Sequence, residues 1–171
     1  DYAARYPTPN IQRLLAAGSQ AESLVPVWPT LTFPNHYSQV TGLTPAQHGL
    51  VGNEFPLRPG EGWFDYRDRE TVSNGRLYDG TPIWVLAEQQ GMVSASFFWV
   101  GSEADVQGVQ PTYWRPYDYT VSHEVRVDQV IAWLQEPAET RPHLITLYLG
   151  IVDDRSHRFG IDSDEMIAAI D

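Results

Sequence analysis

Cysteine is absent from this 171-residue chain, so neither a disulfide framework nor a thiolate zinc site is open to it. Basic residues are scarce too. Eleven Lys and Arg against 22 Asp and Glu leave a net charge of −11, which argues against a broad basic face for duplex nucleic acid or an anionic membrane. No apolar run is long enough to form a transmembrane segment, and no signal peptide is visible. Gly-x-Ser-x-Gly and Walker A strings are both missing, which removes simple serine-triad and P-loop chemistry. Internal repeats and low-complexity stretches are absent as well.

What is present suits a folded protein. Hydrophobic residues make up 42% and include six Trp, and the length suffices for one sizeable core, so residues 1–171 are expected to form a single domain. A chain without cysteine fits any redox environment, so its compartment stays open. A phosphate ligand on so acidic a chain would need local positive charge, from metal ions or a few arginines.

Helical and strand-like segments alternate. Residues 10–17 read as a helix stopped by Gly18, 23–28 as strand-like, and 34–40 as a helix. Residues 53–80, rich in Gly, Pro, Asp and Arg, show no clear period and read as a long surface excursion. A helix over 82–90 leads into a strand over 92–99. The strongest helix spans 122–135, with Val125, Val127, Val130, Ile131 and Leu134 as its apolar stripe. The apolar run ending at Val152 suits a strand buried on both faces of a parallel sheet. A last helix over 162–171 would be capped by Ser163 or Asp162. The alternation points to an α/β layered fold.

The most informative octet is Thr30-Leu31-Thr32-Phe33-Pro34-Asn35-His36-Tyr37. Pro34 suits the first turn of a helix, because its missing N–H would have no intrahelical partner there. Thr32 therefore stands where free backbone N–H groups and the positive end of a helix dipole favour an anion such as phosphate. Its hydroxyl reads two ways, as an N-cap or as a nucleophile aimed at phosphorus. Asn53, after Gly52, is either a polar site residue or a left-handed turn residue. Asp153 and His157 offer a carboxylate oxygen and an imidazole nitrogen four residues apart, a pairing that suits Zn²⁺. Alone, it also fits a solvated loop with a surface histidine.

Taken together these strings resemble the nucleotide pyrophosphatase/phosphodiesterase family of the alkaline phosphatase superfamily. The resemblance rests on Thr-x-Thr-Phe-Pro-Asn-His-Tyr at 30–37, Thr-Gly-Leu-x-Pro-x-x-His-Gly at 41–49, and Asn53. It continues through Phe98-Trp99-Val100-Gly101-Ser102-Glu103, Arg141-Pro142-His143-Leu144 and Leu147-Tyr148-Leu149 to Asp153-x-x-x-His157. It implies an alkaline phosphatase-like α/β/α fold with a mostly parallel sheet, of which this chain looks like an N-terminal section. Counterparts of the family's upstream Asp-Gly and downstream Asp-His ligands are missing, and Asp1 is not read as a ligand.

The same resemblance implies two Zn²⁺ ions, with Thr32, Asp153 and His157 among their ligands, around one common pocket. It implies hydrolysis of a small-molecule phosphodiester or nucleotide through a phosphothreonyl intermediate at Thr32, releasing a nucleoside monophosphate. The Asn53 amide and the Thr32 N–H would donate to the charged phosphoryl oxygen, while Phe33 and Tyr117 would sandwich a nucleobase. Tyr113, Trp114 and Tyr119 are nearby alternatives to Tyr117, and both aromatic positions also fit ordinary packing. His36 and His48 are expected to be structural. Ser156 stands where relatives commonly carry glycine, and Gly150-Ile151-Val152 replaces an acid-containing lead-in. The alternatives are a related phosphodiesterase or phosphonate hydrolase on a non-nucleotide substrate, and a non-catalytic fragment or degenerate binding module. By family analogy the setting would be periplasmic or extracellular.

Overall fold

The computed structural model describes residues 5–170. Asp1, and Asp171 at the end of the expected last helix, lie outside the described residues. The chain divides into two compact units, Asp1–Val25 with Leu149–Asp171, and Pro26–Tyr148. No helix among the described residues is long and apolar enough to cross a membrane.

The larger unit has an α/β architecture built on a parallel sheet, as expected. In chain order it contains helices α2 (Thr32–Thr41) and α3 (Pro45–His48), the hairpin β1 (Glu54–Pro56) and β2 (Trp63–Asp65), and α4 (Arg69–Val72). Then come α5 (Ile83–Gln89), β3 (Ser94–Phe97), β4 (Tyr113–Trp114), α6 (His123–Leu134) and β5 (Leu144–Leu147). The smaller unit holds α1 (Pro9–Ala17), α7 (Ile151–Phe159) and α8 (Asp164–Ala168).

The sheet runs in the order β4-β3-β5, with β3 parallel to both neighbours. All four residues of β3 are buried, as a central parallel strand covered on both faces requires. Ala95 and Phe97 join Phe98 and Trp133 of α6 in one apolar cluster. Between the strands, the Thr146 hydroxyl donates to Ser96 Oγ at 2.8 Å, so two buried hydroxyls satisfy one another. Glu88 of α5 ties the sheet together at its entry. One of its oxygens accepts from the N–H and hydroxyl of both Ser94 and Thr112.

A second core gathers around α2. Phe33, Tyr37 and Val40 pack with Leu50, Phe64, Val72, Tyr78, Trp84 and Val85. Gly101 is required where this core meets the loop after β3. Its φ is +86°, and an added Cβ would stand 3.0 Å from the Tyr37 ring and 3.2 Å from that of Tyr78. Helix α2 ends at Gly42, left-handed at φ +70°, whose N–H donates to Ser38 O.

Several expectations are corrected. Residues 23–28 form no strand. Trp28 is 85% exposed, and the Val27 N–H donates to the Asn35 side chain rather than to a sheet. Residues 53–80 are not merely a surface excursion, because the hairpin and the turns after it bury Phe64, Val72 and Tyr78 in the core. Strand β5 stops at Leu147, and Ile151 already opens α7, so the apolar run is split by Gly150 at the helix cap. The stripe predicted for α6 is largely outside: Val125, Val127, Ile131 and Leu134 are exposed while Arg126 and Trp133 are buried. The inner face belongs to Arg126 because its guanidinium finds partners there. It donates to Val121 O and Tyr148 O and lies 4.9 Å from the centre of the Phe98 ring. Helix α6 does start after Ser122, whose hydroxyl accepts from the Val125 N–H, and Ser163 caps α8 in the same way.

His48 is a core residue. Leu50 N–H donates to its Nδ1 at 3.2 Å, so Nε2 carries the proton and donates to Ser38 Oγ at 2.9 Å. Burial pushes this imidazole below its ordinary value of 6.5. The unfolded chain therefore takes up the proton at a higher pH than the folded one. The stabilisation is complete above the unfolded value and is lost as the pH falls through the folded one. Thermal melts between pH 7 and 5 are expected to show a steeper loss of Tm for the wild type than for His48→Gln; parallel losses would refute a buried neutral imidazole.

Candidate functional site

The residue order around Thr32 explains why a helix begins there. Leu31 is extended at the cap position, and Pro34 occupies the first turn, where no N–H is needed. Thr32 is thus the first helical residue and not the N-cap. Its hydroxyl and its N–H have no hydrogen-bond partner among the described residues. Of the neighbouring donors, the Phe33 N–H is taken, at 2.9 Å, by Asn53 Oδ1. The Asn53 amide nitrogen then has both protons unused among the described residues. Asn53 is not left-handed either, so the turn reading of this residue is corrected.

Two unengaged donors, the Thr32 N–H and the Asn53 amide, therefore flank a half-buried threonine at the positive end of α2. This arrangement can receive an anion. The Thr32 carbonyl is engaged as well, since His36 Nδ1 lies 2.8 Å from it. The His36 ring meets Trp99 and Tyr148 edge-on, at 5.1 and 5.5 Å between centroids. That histidine is half-buried and engaged in packing and in one hydrogen bond.

Of the two aromatics assigned to a nucleobase, Phe33 is only 8% exposed, and its ring packs edge-on against Phe64 at 5.4 Å. Tyr66, 43% exposed, lies 6.2 Å from the Phe33 ring, and its N–H donates to Asn53 O. Tyr117 belongs to another aromatic group, edge-on to Phe98 at 5.2 Å and tilted on Tyr148 at 6.3 Å. Tyr148 in turn touches His36, so the two groups are joined through α2.

Tyr117 is anchored by a buried acid that sequence reasoning missed. Its N–H donates to Glu103 Oε2 at 3.0 Å, and Arg69 grips both oxygens of the same carboxylate. Glu103 was visible only as the last residue of a matched string, and nothing local pointed to Arg69 as its partner, 34 positions away.

Asp153 and His157 belong to the smaller unit and share one face of α7. They stand on a helix, so the alternative reading of the pair as part of a solvated loop is corrected. Their Oδ1 and Nε2 atoms are 3.5 Å apart and both side chains are exposed. Two donors of a tetrahedral zinc, bonded at about 2.0–2.1 Å, sit about 3.3 Å apart, so this pair fits two positions of one ion. No cluster of three or more metal-binding side chains occurs among the described residues.

The family model described as type I phosphodiesterase / nucleotide pyrophosphatase matches residues 1–171. The chain belongs to that family. It is 41% identical over 162 residues to ectonucleotide pyrophosphatase/phosphodiesterase family member 1 of Homo sapiens, covering 95% of this chain and 17% of that protein. It is 38% identical over 169 residues to the venom phosphodiesterase of Macrovipera lebetinus, covering 95% of this chain and 19% of that protein. Murine ectonucleotide pyrophosphatase/phosphodiesterase 5 superposes with a TM-score of 0.90 at 32% identity, over 99% of this chain and 45% of that one. An inactive threonine-to-alanine form of the same murine protein, in complex with AMP, also matches at 0.90, with 31% identity and the same coverage. The chain thus spans under a fifth of the length of these curated relatives and under half of the solved chains.

Glu103 is nearly covered while Arg69 is half exposed, so deleting the acid removes its hydrogen bond from the Tyr117 N–H and lets Arg69 reach water. Glu103→Ala is expected to cost about 1–3 kcal/mol. It should also speed amide exchange at Tyr117; hydrogen-exchange mass spectrometry with unchanged protection there would contradict this anchoring.

Proposed function

We propose that the protein hydrolyses phosphodiester or pyrophosphate bonds of small molecules, releasing a nucleoside monophosphate, with Thr32 as nucleophile. The observation that carries this reading is the Thr32 hydroxyl at the start of α2, unengaged among the described residues and flanked there by the equally unengaged Thr32 N–H and the Asn53 amide. Family membership supports the reaction class, and relatives are named as phosphodiesterases and nucleotide pyrophosphatases. The match to an inactive threonine-to-alanine relative in complex with AMP supports both a threonine nucleophile and a nucleotide ligand.

Attack forms a bond from Thr32 Oγ1 to phosphorus while the bond from phosphorus to the leaving oxygen breaks. The hydroxyl proton passes to water in this step, and the leaving oxygen takes up a proton from water. Water then cleaves the threonine–phosphorus bond of this nucleotidyl-threonine, which releases the nucleoside monophosphate and returns a proton to Thr32. Throughout, the Asn53 amide and Thr32 N–H donate to a non-bridging oxygen, whose charge grows as the transition state forms. Tyr117, fixed by Glu103, would stack on the base, and Phe33 would border it, a contact that selects nucleotides without reading which base is present. Asp153 and His157 would hold one Zn²⁺, and Thr32 would meet a second. When bound, the two ions would supply the positive charge that lowers the hydroxyl pKa and offsets the phosphoryl oxygens.

Kinetics with p-nitrophenyl-TMP, in the protein as its gene encodes it, test the reading. Thr32→Ala should abolish turnover and the acid-stable thymidylyl-threonine trapped by rapid quenching. Asn53→Ala should lower kcat about 100- to 1,000-fold with little change in KM. Retained turnover in Thr32→Ala would overturn the proposal. Faster hydrolysis of p-nitrophenylphosphorylcholine would move the substrate class away from nucleotides.

The metal assignment has its own readout. Dialysed protein assayed by atomic absorption should lose about one equivalent of zinc when Asp153 and His157 are both replaced by alanine. Zinc content equal to that of the wild type would remove the pair from the ligand set.

A further inference from the structure

The chain leading into Thr32 is held in an unusual way. Residues 27–31 belong to no regular element, and their largest side chains gain little from packing, with Trp28 85% and Leu31 44% exposed. Apolar burial therefore does not fix the path of this strap. Its backbone is instead gathered by one side chain. Asn35, one turn into α2, accepts from the Val27 N–H through Oδ1 at 2.9 Å. Its amide nitrogen donates to Pro29 O at 2.9 Å and Leu31 O at 3.0 Å, with Val27 O at 3.4 Å. The Leu31 N–H closes a small turn onto Pro29 O at 2.8 Å, and the Asn35 N–H adds a bond to Leu31 O at 3.1 Å.

We infer that Asn35 is a positioning residue for the nucleophile, its side-chain amide fixing the strap 27–31 so that Thr32 enters α2 with its hydroxyl and N–H unengaged. The inference rests on the reading of Thr32 as nucleophile. Asn35 touches no reacting atom; it acts through Leu31, whose carbonyl it binds twice and which precedes Thr32 directly. Asparagine suits the task because the strap presents both a donor, the Val27 N–H, and carbonyl acceptors, and an amide answers both at once. A carboxylate of the same shape keeps the first contact and turns the others into repulsion between oxygens.

Asn35→Asp is thus the discriminating variant. It is compared with wild type and Thr32→Ala on p-nitrophenyl-TMP, in the protein as its gene encodes it. At pH 7.5, kcat should fall about 10- to 100-fold while KM stays within about twofold, because binding groups survive and alignment does not. The ratio of mutant to wild-type kcat should then rise as the pH is lowered towards 5. A protonated carboxyl regains an O–H donor for Pro29 O or Leu31 O. A purely structural role would lower Tm and active fraction without this pH-dependent recovery.

A kcat within about twofold of wild type at pH 7.5 would overturn the inference while leaving the proposed function intact. So would a loss that is flat with pH. Turnover retained by Thr32→Ala would sink the nucleophile and this inference with it, so the two failures are told apart by that one control.

Discussion

The hydrogen bond from the Phe33 N–H to Asn53 Oδ1 joins two pieces of chain that are 20 residues apart, and most of the candidate chemistry follows from it. An isolated helix start would leave several N–H groups pointing at solvent. Here one is absent, at Pro34, and one is occupied by Asn53, which leaves the N–H of Thr32 itself. The bond also orients the asparagine. With its oxygen committed to the backbone, only the donor end of the amide remains to face a ligand. Asn53 can hold this place because its own backbone carbonyl accepts from the Tyr66 N–H, anchoring it to the hairpin that buries Phe64 beneath Phe33.

Features governed by neighbours three or four residues away were readable from sequence. Ser122 and Ser163 cap helices as their positions suggest, and the octet around Pro34 marks the start of α2. Features decided by distant partners were not. Arg126 looks like a solvent residue inside an apolar helix, and only Val121 O, Tyr148 O and the Phe98 ring make its inner position favourable. Phe64, Val72 and Tyr78 are buried from a segment with no period, because a hairpin and short turns, rather than one long element, bring them inward. Asn35 was legible as part of a motif yet not as an anchor, since its acceptors lie along a strap whose path no local signal specifies. For the candidate site, the grouping of Thr32, Phe33 and Asn53 was legible; the support from Glu103 and Asn35 was not.

The same residue type serves opposite ends in the two histidines of the α2 region. His48 is fully buried, with both ring nitrogens engaged, so its role is to complete the core between Ser38 and Leu50. Among the described residues His36 engages one ring nitrogen, on Thr32 O, and its ring edges reach Trp99 and Tyr148. Through Tyr148 it connects the helix carrying Thr32 with the loop carrying Tyr117. A nucleotide bound as proposed would span these two places, so a rigid aromatic bridge between them would spare some of the ordering cost of binding.

An acidic protein acting on an anionic substrate meets a general electrostatic difficulty, and the arginines near these elements do little to relieve it. Arg67 is engaged by Asp65 and Glu54, Arg69 by Glu103, and Arg126 by two carbonyls and an aromatic ring. Each is committed to holding backbone or loop in place. At the start of α2 the structure offers neutral donors instead: one backbone N–H, one side-chain amide and the partial positive charge of the helix end. Such groups orient a phosphoryl oxygen and strengthen as its charge grows, yet they bring no full charge to offset the approach of an anion. Under the proposed function that charge has to come from bound cations. The separation of labour that follows, in which amide groups set direction and metal ions supply attraction, would let a chain with a net charge of −11 act on a phosphate ester without a basic surface.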